Sequence, residues 1–293
     1  MNYQNFVTSI KDAIYDQIGP GMKVQLHTTL KNNGNERIGI SISDRQVNIF
    51  PTIYLEEFYE HYQKGISLET IVEDILTLYN EIKMDHSLDI EFLKDYSDVK
   101  SKIAHRLVNT ARNSTQLEGV PHFYFHDLAI VFYVLYQEED FGNATIPITN
   151  DLMKLWGITI GELYKCAMNN TPHLLPASFK PIHSVVEELL GHTIDAAELP
   201  DNMMYVLTNP LRSFGASCIL YPGMLEDVAC RLEENFYVIP SSVHETIILP
   251  ESNAPTREHL LEMVKEINET ELCLEEILSD NVYYYDFQKR ELR

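Results

Sequence analysis

The sequence predicts an α+β protein with mixed or antiparallel sheet and packed amphipathic helices. Three observations carry that expectation. Some segments place apolar residues three and four positions apart, while others place them at every second position. Clusters of Gly, Pro and Asn separate these segments. No internal repeat or low-complexity tract breaks the pattern.

Tyr3, Phe6, Ile10, Ala13, Ile14 and Ile18 fall at helical spacing, and Gly19-Pro20-Gly21 ends that helix. A hairpin follows: Val24, Leu26, Thr28 and Leu30 alternate with polar residues, as do Ile38, Ile40 and Ile42. Asn33-Gly34 supplies the positive-φ residues its loop needs. Residues 47–49 suit a third strand, stopped by Pro51. A short aromatic helix spans 55–62, and Ser67 caps an amphipathic helix over 68–82. A further helix is expected over 99–112, with Val99, Ile103 and Leu107 facing inward. The loop-like Asn113-Ser114-Thr115 and Gly119 suggest a boundary between domains 1–115 and 116–293.

Residues 122–136 are rich in Phe, Tyr, Val and Ile and read as one or two buried strands. Two short helices follow, the second opened by Thr159 and Glu162 at capping-box spacing. A helix over 182–190 ends at Gly191. Residues 203–207 and 216–221 read as strands flanking an Asn209-Pro210 turn. Pro222 suits the first turn of the next helix. Strands are expected over 236–239 and 243–249, then helices over 255–268 and 272–278, with Tyr283-Tyr284-Tyr285 closing a sheet edge.

The 293 residues are 45% hydrophobic and 23% charged, which excludes collagen-like, coiled-coil and disordered classes. No run approaches the roughly 18 to 20 apolar residues of a membrane span, and the first residues lack a signal peptide's build. Cys166, Cys218, Cys230 and Cys273 form no CxxC pair. A reducing cytoplasm is the expected compartment.

Forty-four acids against 22 bases leave a net charge of −22, which disfavours direct nucleic-acid binding. Residues 56–98 and 251–280 hold 16 of the 22 excess negatives. Such stretches are either solvated helix faces or an acidic docking surface for a basic protein partner. Glu262, Glu266 and Glu269 are the candidate partner-binding residues.

The strongest chemical candidate is Pro240-Ser241-Ser242-Val243-His244-Glu245, a turn entering a strand. It offers a hydroxyl, an imidazole and a carboxylate within four positions, so Ser242, His244 and Glu245 are catalytic candidates, with Asp127 as an addition. On a strand, Ser242 and His244 share a face about 6.5 to 7 Å apart, loose for a nucleophile and its base. Lys102, His105, Arg106, Asn109 and Arg112 would line one helix face, and Lys102, Arg106 and Arg112 are the candidate anion-binding residues. His122 and His126 could share a metal only on a helix, and their aromatic setting argues for a strand. Neither GxGxxG nor GxxxxGK[ST] occurs, so no cofactor and no metal are expected.

Several segments resemble an uncharacterised family of low-GC Gram-positive bacteria (Firmicutes), a domain of unknown function. They include Lys31-Asn32-Asn33-Gly34, Pro51-Thr52-Ile53-Tyr54-Leu55-Glu56, Asp127-Leu128-Ala129-Ile130-Val131 and Leu155-Trp156-Gly157. Tyr205-Val206-Leu207-Thr208-Asn209, Gly215-Ala216, Ile219-Leu220-Tyr221-Pro222-Gly223 and the Pro-Ser-Ser-x-His-Glu turn continue the resemblance. It implies a bacterial, cytoplasmic protein and carries no mechanism. The functional expectation is a binding or regulatory protein with an acidic surface. The alternatives are a small hydrolase or transferase at Ser242, His244 and Glu245, or a phage or mobile-element inhibitor that imitates nucleic acid.

Overall fold

A computed structural model of the chain describes residues 1–19, 21–43, 50–83, 91–138, 142–192, 204–240 and 242–293. The chain forms two compact units, Met1–Glu91 and Phe92–Arg293, and the 113–119 stretch lies inside the second. The class is α+β, and all strand pairings are antiparallel among the described residues.

In the first unit, α1 (Tyr3–Gln17) is capped by the Asn2 side chain and buries Phe6, Val7, Ile10 and Ile14. Strands β1 (Lys23–Leu30) and β2 (Glu36–Ser43) pair in the alternating register the sequence predicts, Val24 opposite Ile42 and Leu26 opposite Ile40. Asn33 turns the hairpin with φ of 60°. β3 (Thr52–Tyr54) adds to the far edge of β2, directly after Pro51. The strand expected at 47–49 lies outside the described residues. Helices α2 (Glu56–Gln63) and α3 (Leu68–Ile82) follow, α3 capped by Ser67 as predicted. Phe6, Ile10, Ile40, Leu55, Ile71 and Ile75 are fully buried in one core. Each contributes about 2 to 3 kcal/mol of transfer free energy.

The second unit opens with α4 (Tyr96–Val99) and β4 (Ile103–Asn109). β4 corrects the helix expected over 99–112. Val99, Ile103 and Leu107 do face the core, but so does His105, completely buried between the last two. The true inward period is therefore two, and the polar histidine disguises it. After α5 (Ser114–Leu117), β5 (His122–Phe125), β6 (Leu128–Glu138) and β7 (Gly142–Pro147) complete a four-stranded sheet ordered β4-β6-β5, with β7 also on β6. Helices α6 (Asn150–Trp156) and α7 (Ile160–Leu174) follow, α7 opened by the predicted Thr159–Glu162 capping box.

The remaining chain builds a six-stranded sheet ordered β13-β12-β10-β11-β9-β8. In sequence its elements are β8 (Ser178–Pro181), α8 (Ile182–Leu190), β9 (Tyr205–Thr208), α9 (Met224–Leu232), β10 (Phe236–Ile239), β11 (Thr246–Pro250), α10 (Arg257–Thr270), β12 (Tyr283–Asp286) and β13 (Glu291–Leu292). Two expectations are corrected here. Gly215–Leu220 is a buried 3-10 helix, not a strand. Residues 272–278 form a turn, closed by the Glu276 N–H on the Cys273 carbonyl, not a helix. Leu107 and Phe132 from the first sheet share a core with Leu207, Phe236 and Ile248 from the second. No described helix is long and apolar enough to cross a membrane.

Candidate functional site

The Pro240-to-Glu245 turn joins β10 to β11, and Ser241 lies outside the described residues. The turn is pinned from every side. Ser242 N–H donates to the Glu245 carbonyl (3.3 Å) and Val243 N–H to the Glu276 carbonyl (2.9 Å). Thr208 Oγ1 donates to the His244 carbonyl at 2.7 Å. Gly215 packs so closely that a Cβ would stand 2.5 Å from the His244 carbonyl and 2.8 Å from the Asn209 nitrogen. Only glycine lets these backbones approach.

Geometry assigns Ser242 a structural bond. Its Oγ accepts the His244 backbone N–H at 3.0 Å, the usual way a serine closes a turn. The imidazole itself looks elsewhere. His244 Nδ1 accepts the Phe214 backbone N–H at 3.3 Å, which leaves the ring proton on Nε2. Nε2 faces the Glu276 carboxylate at 3.9 Å. The three residues are thus neighbours in the chain, and no hydrogen bond joins the Ser242 hydroxyl to the imidazole among the described residues.

Sequence reasoning missed the residue that organises this region. Phe214 stacks on His244, with ring centroids 5.9 Å apart, and meets the Tyr133 ring edge-on at 5.7 Å. Its backbone φ is 54°, and that of Arg212 two residues earlier is 47°. A side-chain-bearing residue in the left-handed region costs on the order of 1 kcal/mol, so the loop is held there by its surroundings. The buried Asn209 is part of that hold, its amide bridging to the Ser213 carbonyl and backbone N–H. The Phe-Gly step after an Asn-Pro turn was the available signal.

The three predicted anion-binding residues do not converge. Lys102 sets its ammonium over the Phe92 and Tyr136 rings. Arg112 pairs with Asp280 at 3.1 Å beside a cleft of about 510 Å³ that Lys265, Asn268 and Glu269 help to line. Arg106 alone reaches the Phe214 region, its guanidinium 4.4 Å from the ring centroid. Asp127 also stands apart from the turn. It accepts the Ser279 and Tyr283 hydroxyls, each at 2.6 Å. Burial raises its pKa, but these hydrogen bonds outweigh burial and hold the carboxyl below its ordinary range.

Glu262, Glu266 and Glu269 all lie on the exposed side of α10, whose other side buries Leu260, Val264 and Asn268. Glu258 joins them, and Met263 and Ile267 are 42% and 44% exposed among them. His122 opens β5 and His126 follows its last residue, with His126 stacked on Tyr283. No group of three or more potential metal-ligating side chains is assembled among the described residues.

Fold and site together define an α+β protein with a rigid histidine-bearing turn, a stacked Phe-His-Arg cluster and an acidic helix face. The chain belongs to DUF5688, a family of unknown function, which it matches over residues 3–287. No curated protein and no solved structure matches it.

Proposed function

We propose that the chain is a cytoplasmic binding or regulatory protein of low-GC Gram-positive bacteria that docks a basic protein partner on the outer face of α10. One observation supports this reading. That face interleaves the exposed carboxylates of Glu258, Glu262, Glu266 and Glu269 with the exposed apolar side chains of Met263 and Ile267. Carboxylates steer a basic partner and set its register, while desolvation of the two apolar residues supplies affinity. Lys265 is the only cation between residues 258 and 269, so the field over the face is strongly negative.

The test is capture from bacterial lysate at low and high salt, with the bound protein identified by mass spectrometry. The wild type should retain a basic protein that raised salt releases. Combined Glu262→Lys, Glu266→Lys and Glu269→Lys replacement should weaken that capture by about tenfold or more while circular dichroism stays unchanged. Equal capture by both proteins removes the proposal. Backbone strain at Arg212 and Phe214 beside His244 favours a second reading, an enzyme centred on Ser242, His244 and Glu245. His244→Ala separates the two: it should leave capture intact, whereas loss of function with capture retained selects the enzyme.

A further inference from the structure

A guanidinium keeps its charge at any physiological pH, so when the chain takes it out of water it needs an anion or a set of acceptors. Acids outnumber bases two to one here. Arg37, Arg112, Arg212, Arg290 and Arg293 each pair with a carboxylate. Arg257 donates to the Val282 carbonyl, and Arg231 is exposed to water. Arg106 stands apart. It has neither a carboxylate nor any hydrogen-bond acceptor among the described residues, and its guanidinium lies over the face of Phe214.

Its place in the sheet explains the exposure to desolvation. β4 sends Ile103, His105 and Leu107 into the main core, and Ala104, Arg106 and Val108 to the opposite face. On that face Ala104 packs with Tyr133, Leu175 and Phe214, and Val108 packs with Leu117, Ala129 and Val131. Arg106 rises between these two apolar clusters, paired across the ladder with Val131. Burial drives its pKa below the usual arginine value, with the neighbouring Tyr133 opposing that shift.

Tyr133 is the second half of the feature. The residue is 2% exposed, and its hydroxyl has no hydrogen-bond partner among the described residues. Burial pushes that hydroxyl up to about 12, while the Arg106 charge pulls it down, so the two groups feel one another. The polar atoms that are both fully sealed from solvent and unpaired among the described residues are His105 Nδ1, His105 Nε2 and Thr110 Oγ1. Arg106 is not among them, and it is half-buried rather than sealed.

We propose that Arg106 and Tyr133, walled by Phe214, bind an oxyanion: the carboxylate or phosphate of a small molecule. The guanidinium fork presents parallel N–H donors that match either group, and the phenol adds a third donor. Phe214 supplies a flat wall, fixed in place by its N–H on His244 Nδ1 and its stack on the imidazole. His244 is thereby a positioning residue. The site uses none of the α10 carboxylates, so it stands or falls independently of the docking face.

The experiment follows thermal unfolding of the full chain with inorganic phosphate or acetate, each raised to about 50 mM against chloride at constant ionic strength. The midpoint should rise with one anion or both. A rise with phosphate alone assigns a phosphate ligand, and a rise with acetate alone a carboxylate. In Arg106→Met the response should vanish while the anion-free midpoint holds or rises, because an unpaired charge has gone. Tyr133→Phe should weaken the response several-fold. No response to either anion in the wild type overturns the proposal, as does an equal response in Arg106→Met. If Arg106→Met does not fold, an unchanged response in Tyr133→Phe overturns it instead.

Discussion

Arg37 in the first unit and Arg106 in the second each lay a guanidinium on an aromatic ring, 4.5 Å from Tyr54 and 4.4 Å from Phe214. Around Arg37 the fold closes the circuit. Nε meets Glu56 at 3.2 Å and Nη2 meets Glu57. Glu56 in turn accepts the Tyr3 hydroxyl at 2.6 Å and the Ile38 N–H at 2.7 Å. Desolvation lowers the Arg37 pKa, but the bonds to Glu57 and Glu56 more than reverse it. Around Arg106 only Tyr133 opposes desolvation, and burial prevails. The same residue type is thus self-sufficient in one setting and left needing an external anion in the other.

The most severe way to break the second setting leaves both charges alone. In Gly215→Ala the new Cβ would collide with backbone, 2.5 Å from the His244 oxygen and 2.8 Å from the Asn209 nitrogen, and 2.2 Å from Thr208 Oγ1. Backbone cannot rotate away as a side chain can, so a loss of about 3 kcal/mol or more is expected. Urea unfolding measures it, and any Arg106-dependent anion response should disappear with it. Stability within about 0.5 kcal/mol of wild type would show that this close approach does not hold the loop.

His105 sharpens the comparison because it neighbours Arg106 in the chain and solves burial differently. Its ring is completely buried, with both nitrogens unpaired among the described residues, and lies edge-on to Tyr221. Burial lowers its pKa from 6.5 to about 4, so it stays neutral in the folded protein. The arginine beside it has no neutral form to retreat to. The unfolded chain protonates this histidine near 6.5 and the folded one resists until about 4. The associated stability is therefore complete above pH 6.5 and is lost as pH falls toward 4, by about 3 kcal/mol in all. Equilibrium unfolding over that range should show a shallower acid loss in His105→Leu than in wild type. Parallel curves would remove His105 as the titrating group.

These residues also mark where the sequence was readable. The β1–β2 hairpin, Ser67 and the Thr159–Glu162 box were legible because each signal is local: alternation, a cap, a reciprocal pair three residues apart. β4 was misread because Val99, Ile103 and Leu107 mimic helical spacing while His105 hides the alternation. Residues 216–221 are small or apolar and read as a strand, but Gly215 seats that segment against Thr208 and His244, where it coils into a 3-10 helix. The His244 turn was visible as a cluster in the chain, yet its partners were not. Arg106, Tyr133, Phe214 and Glu276 arrive from four distant segments, and only the sheet registers and the Asn209–Phe214 loop bring the side chains together.

The gentlest prediction tests the comparison most directly. Arg37→Met and Arg106→Met delete the same charge and keep similar apolar bulk over an aromatic ring. Removing Arg37 leaves Glu56 with the Tyr3 hydroxyl and the Ile38 N–H, and leaves Glu57 largely in water. The loss should therefore be modest, about 1 kcal/mol, since partly exposed pairs are screened. Removing Arg106 deletes no ion pair, only the contact with the Phe214 ring that Met partly replaces, and relieves an uncompensated charge, so it should cost little or nothing in the absence of an anion. Urea midpoints of the two variants, measured in chloride at one ionic strength, should therefore fall on opposite sides of the wild type, or Arg106→Met level with it. Equal losses would mean that Arg106 already has an internal partner and that the two settings do not differ in kind.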